Sequence, residues 1–91
     1  MEKKIRQIIE GYKGVELGYL SCGDRFHDYV TLIAIGLKGR YMPFAAKKIL
    51  EAFPEVRYVH FTGGWVETVY SRETLRWAGY ITDKKSRKIA N

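Results

Sequence analysis

The sequence predicts an α+β domain of order αββαββα, with a four-stranded antiparallel sheet, helices mainly on one face, and a pseudo-twofold relation between two αββ halves. Three observations lead there. Apolar residues recur at helical spacing in two places, four short stretches carry strand-like patterns, and the two helix–strand units align with each other without a gap. The chain of 91 residues holds one such domain over 1–81, with halves at 2–38 and 43–71, a third helix over 72–80 and a basic tail over 82–91.

The first helix spans Glu2 to Tyr12, because Ile5, Ile8, Ile9 and Tyr12 fall at i, i+3, i+4 and i+7 and share one face. Gly11 or Gly14 ends it. Val15 to Cys22 reads as the first strand. Tyr29 to Leu37 reads as the second, apolar on both alternating faces and therefore interior to the sheet. Met42-Pro43 opens the second helix, where a proline in the first turn has no N–H to lose. Ala46, Ile49, Leu50 and Phe53 repeat the helical spacing, and Pro54 closes the segment. Val56 to Thr62 and Trp65 to Ser71 form a hairpin around Gly63-Gly64. Ser71 caps the third helix, with Leu75 and Ala78 facing inward.

The repeat is read residue by residue. Ile8-Ile9-Glu10-Gly11-Tyr12 matches Ile49-Leu50-Glu51-Ala52-Phe53, and Val15 to Ser21 continues onto Val56 to Thr62 at the same offset. The halves diverge afterwards, where the loop from Cys22 to Asp28 is longer than Gly63-Gly64.

Composition excludes several classes. Four phenylalanines, seven tyrosines and two tryptophans argue against disorder. No apolar run approaches the ~20 residues a membrane-spanning helix needs. One cysteine, Cys22, forms neither an internal disulfide nor a zinc cage. With no signal-peptide pattern after Met1-Glu2-Lys3-Lys4, the expectation is an intracellular protein that makes no membrane contact.

A two-residue loop at Gly63-Gly64 pairs Thr62 with Trp65, His60 with Glu67 and Tyr58 with Val69, all on one sheet face. Val59, Phe61 and Val66 mark the other face as the one that takes the helices, with the reverse assignment left open by the apolar residues on both faces. The repeat adds Leu17 and Tyr19 to the uncovered face. Aromatic residues on an open sheet face suit stacking of unpaired bases, or burial against a second copy of the chain.

The net charge of +6 is placed unevenly. Arg72, Arg76, Lys84, Lys85, Arg87 and Lys88 stand against Glu73 and Asp83 alone. Lys38, Arg40, Lys47 and Lys48 form a second basic group beside the second helix. Basic groups of this kind attract polyanions in a salt-dependent way.

Chemistry is concentrated in two places. Asp24, His27 and Asp28 in the long loop are the candidate ligands for a divalent metal, although they match no established spacing. His60 opposite Glu67 is the candidate base held by a carboxylate. Cys22 with His27 is a further nucleophile pair, with only Arg25 nearby to lower the thiol pKa. No phosphate-loop or dinucleotide-binding glycine pattern occurs.

The element order resembles the core of LAGLIDADG homing endonucleases, whose saddle-shaped sheet lies on DNA. In Ile8-Ile9-Glu10-Gly11-Tyr12-Lys13-Gly14 the place of that family's acidic metal ligand is near Lys13. A lysine does not ligate magnesium, so the resemblance does not carry nuclease activity with it.

Function is therefore expected to be non-enzymatic nucleic-acid binding, to DNA or RNA, without a cofactor. The expected contact residues are Tyr19, Tyr58 and Trp65, then Arg40, Lys47 and Lys48, then Arg72, Arg76, Lys84, Lys85, Arg87 and Lys88. The alternative is a homodimeric regulatory module that binds a protein, an acidic one being suited to the basic surface. The third class is a small metal-dependent nuclease.

Overall fold

The structure, a computed structural model, describes residues 1–23 and 28–81. Helical spacing acts as expected at the start: Ile5 and Ile9, one turn apart, are the buried residues of α1 (Glu2–Glu10). In α2 (Met42–Ala52), Ala45, Ala46, Ile49 and Leu50 form the buried stripe, and Pro43 sits in the first turn. Strands β1 (Glu16–Ser21) and β2 (Tyr29–Ile35) lie between these helices; β3 (Tyr58–Gly63) and β4 (Val66–Ser71) follow α2.

The third helix, α3 (Arg72–Trp77), starts where the sequence places it and ends sooner. Ser71 accepts a hydrogen bond from the Thr74 N–H at 3.2 Å, and Thr74 Oγ1 accepts from the Ser71 N–H at 2.9 Å, which closes a capping box. Gly79 then takes a left-handed conformation (φ 91°). Its N–H donates to Arg76 while the Tyr80 N–H donates to Leu75. That pair of bonds is a Schellman stop, so the helix cannot reach Tyr80, and Ala78 stands exposed instead of inward.

The α+β class and the element order are as expected, but the sheet is mixed. Its order is β1-β2-β3-β4; the outer pairs are antiparallel and the middle pair, β2 with β3, is parallel. Parallel neighbours need a long crossover, and residues 36–57, with α2 in their midst, supply it. The same order corrects the pseudo-twofold. A two-fold axis exchanging the halves would have to exchange β1 with β3, yet β1 is an edge strand and β3 is interior.

Two further register details differ. The β3/β4 partners are Thr62 with Glu67, His60 with Val69 and Tyr58 with Ser71, so the hairpin loop is Gly64-Trp65. The shift is two residues, one full strand period, so the side chains within the strands keep their expected faces while Trp65 leaves the sheet for the loop. In β1 the pairing jumps between Leu17 and Tyr19, which face Ala34 and Ile33. This bulge at Gly18 sends Leu17 to the helix side, where it is buried, and Tyr19 to the open side. Leu17 is thus removed from the uncovered face. A side chain at residue 18 would meet Ile35 Cδ1 at 2.7 Å.

Leu17, Val30, Leu32, Val59 and Phe61 point from the sheet into one core with Ile5, Ile9, Ile49, Leu50 and Leu75 of the helices. All three helices therefore pack on one sheet face. Among the described residues, no helix is long and apolar enough to cross a membrane.

Candidate functional site

The uncovered sheet face is an ordered array. Tyr29 lies beside Tyr58, with ring centroids 5.9 Å apart, and the His60 ring stands edge-on to Tyr29 at 6.1 Å. The structure brings His60 and Glu67 together: Nε2 is hydrogen-bonded to Oε1, reached diagonally because Val69 is the residue directly opposite. Thr62 Oγ1 donates to the other carboxylate oxygen at 3.0 Å. Both oxygens of Glu67 are engaged, and the carboxylate side chain is 70% exposed on a flat surface. This is cross-strand polar pairing on an exposed surface.

The face has a second property. Glu16, Tyr19, Ser21, Tyr29, Thr31, Ile33, Ile35, Tyr58, His60, Thr62, Glu67 and Val69 include no lysine or arginine. Tyr19 and Tyr58 are exposed here, and Trp65 projects fully from the hairpin tip. Arg40, Lys47 and Lys48 belong to the segment that packs on the opposite side. The sheet therefore separates Arg40, Lys47 and Lys48 from Tyr19 and Tyr58, and these residues do not form one surface. Local pattern reveals which face a residue takes but not which helix shares it.

Of the remaining expected contacts, Arg76 is exposed on α3. Arg72 is not available. Its guanidinium donates to the carbonyls of Val56 and Leu50, both at 2.6 Å, and of Phe53 at 3.1 Å. These carbonyls lie in the last turn of α2 and the segment after it, where a helix leaves acceptors unpaired. Beside it a cleft of about 580 Å³ sets Arg57 and Arg72 against Glu55 and Glu73, which leaves no excess of charge. The Glu73 carboxyl is held below its ordinary range by its own backbone N–H and by Ser71.

Asp24 and His27, and Lys84, Lys85, Arg87 and Lys88, lie outside the described residues. Asp28 is described, and its backbone carbonyl accepts from the N–H groups of Arg57 and Tyr58 at 2.7 and 3.1 Å, tying the start of β3 to the start of β2. Among the described residues no three His, Cys, Asp or Glu side chains gather as metal ligands. Burial pushes the Cys22 thiol up, the reverse of nucleophile activation.

A second site forms where the two interior turns meet. After α1 the chain turns through Gly11–Gly14, with the Val15 N–H donating to Tyr12 at 3.1 Å. After β2 it turns at Gly36 and enters a short 3-10 turn at Gly39–Tyr41. The turns bring Tyr12 and Tyr41 to a ring separation of 5.8 Å. Lys48 Nζ sits 4.8 Å from the Tyr12 ring centre and the Arg40 guanidinium 5.0 Å from that of Tyr41, both within cation–π range. Between the turns lies a cleft of about 500 Å³, lined by these tyrosines with Lys13, Lys38 and the glycines at 11 and 36, and among the described residues no acidic one lines it.

Within this group the Tyr12 hydroxyl is buried without a hydrogen-bond partner among the described residues. An orphan hydroxyl of this kind costs about 1–3 kcal/mol, which lowers the cost of moving the ring. Sequence reading finds Lys38, Arg40 and Lys48 as a basic group but misses Tyr12, Lys13 and Tyr41. The available signal is the basic neighbour of each tyrosine, Tyr12-Lys13 and Arg40-Tyr41, at the two ends of helical segments.

Comparison of the chain with protein-family models, curated proteins and solved structures finds no match.

Proposed function

We propose that this is a small, non-enzymatic nucleic-acid-binding protein whose contact surface lies on the helix side of the sheet. One observation carries the reading: Lys13, Lys38, Arg40 and Lys48 surround the paired rings of Tyr12 and Tyr41, and among the described residues no acid lines the adjoining cleft. Cations positioned around exposed aromatic rings are the combination that holds phosphates and bases together. Arg76 and the basic residues of 82–91 add to the long-range attraction.

The test is binding of a labelled oligonucleotide across a salt series. If three phosphates are neutralised, affinity falls roughly 20- to 40-fold between 50 and 200 mM salt. The double variant Lys13→Gln/Lys38→Gln lowers affinity and flattens that slope. Absence of binding at low salt overturns the reading.

A second reading has its own observation. The open sheet face, without lysine or arginine among the described residues, exposes Tyr19, Tyr29, Ile35, Tyr58 and Val69, the composition of a surface that is covered by another protein chain. A second copy is the simplest occupant, since meeting face to face leaves the basic helix sides apart and outward. Sedimentation then shows a dimer that Ile35→Lys dissociates; a monomer at high concentration removes this reading.

A further inference from the structure

We infer that the cleft between the Gly11–Gly14 turn and the 36–41 turn, which Tyr12 and Tyr41 help to line, takes one unpaired nucleotide, so that the nucleic acid recognised is single-stranded. This rests on the nucleic-acid reading above and names its substrate class.

The geometry argues for an unpaired base in three steps. The cleft is concave and, at about 500 Å³, falls within the range of pockets that enclose a small ligand. Its aromatic rings are set between two turns, not on a flat or convex surface. A duplex keeps its base faces stacked internally and offers only edges and phosphates, so it cannot place a base against these rings. A single strand can turn a base out, and every base has a face to stack.

The charges fit the same ligand. Lys13 and Lys38 line the cleft from its two turns, one from each, while Lys48 and Arg40 lie against the rings themselves. A nucleotide is an aromatic ring carrying phosphate, and this arrangement offers rings and cations within one cavity. An inorganic anion would use the lysines and leave the tyrosines without a role. Tyr12, whose hydroxyl has no partner among the described residues, is the ring able to adjust as a base enters.

The experiment has two arms. In the first, a nucleoside monophosphate and inorganic phosphate are titrated separately, following the backbone amide resonances of Gly11, Lys13, Gly36 and Lys38. The nucleotide is expected to shift them at concentrations where phosphate does not. In the second, a single strand and a duplex of equal length are compared at one salt concentration, the single strand binding at least tenfold tighter. Tyr41→Leu should lower single-strand affinity about fivefold or more and leave the salt slope unchanged. Tyr41→Phe, which keeps the ring, should bind like the parent, and its folding guards against loss of structure as the cause. Equal affinity for duplex and single strand, with Tyr41→Leu silent, overturns the inference and leaves nucleic-acid binding standing. Equal shifts from phosphate and nucleotide overturn it as well. If neither polymer binds at low salt, the broader reading fails.

Discussion

Replacing Arg72 with methionine is expected to destabilise the fold by about 2–4 kcal/mol, because hydrogen bonds from a charged donor contribute about 1.5–3 kcal/mol each and are not additive. The cause lies at the end of α2. That helix stops at Phe53 in an extended conformation, with Pro54 next, and lacks the left-handed glycine that ordinarily turns the chain back onto the last carbonyls. The guanidinium of Arg72 takes that place, bonding to Leu50, Phe53 and Val56 from the first turn of α3. A positive charge there also complements the negative end of the α2 dipole. Methionine keeps much of the aliphatic stem and removes all the donors. Arg72→Lys recovers only part of the loss, since an ammonium lacks the planar fork that reaches several carbonyls at once. Denaturant unfolding checks both variants. A methionine variant as stable as the parent would show that water satisfies these carbonyls equally well.

Arg72 also shows where sequence reading reaches its limit. Composition identifies Arg72 as a cation expected to meet a polyanion, whereas its position against the end of α2 is a tertiary fact. Elements held by local rules were legible: Ile5 with Ile9 and Ile49 with Leu50 by helical spacing, Ser71 by its capping chemistry, and the α+β order by their succession. The faces of β3 and β4 were legible even with the wrong partners, because a two-residue shift preserves strand parity. The parallel pairing of β2 with β3 was not, since a strand's own residues carry little record of the neighbour's direction. The Gly18 bulge was hidden for a related reason: an uninterrupted alignment of Leu17 to Tyr19 with Tyr58 to His60 assumes equal spacing. The Tyr12–Tyr41 cleft was hidden most completely. Its two halves come from turns distant in sequence, and only the close approach of those turns makes them one site.

That approach predicts the second large effect. Gly36→Ala is expected to cost about 2–4 kcal/mol, combining the strain of a left-handed conformation at a residue with a Cβ, about 1–2 kcal/mol, with a backbone collision. Gly36 has φ 89°, and a Cβ there would stand 2.8 Å from the carbonyl oxygen of Gly14. Neither atom belongs to a flexible side chain, so one of the two turns has to move. Gly14 offers the matched comparison. It too is left-handed, with φ 76°, but an added Cβ meets nothing within 4 Å. Gly14→Ala should therefore show the conformational cost alone, about 1–2 kcal/mol. The difference between the two alanine variants measures the steric part, and it should be lost if the turns are in fact apart. Because Gly36 and Lys38 lie on one wall of the cleft and Tyr12 and Lys13 on the other, relief of the collision opens the site. Gly36→Ala should then weaken oligonucleotide binding where the protein remains folded, and Gly14→Ala should not. Equal stability and equal binding in the two variants would mean that the packing of these turns controls neither.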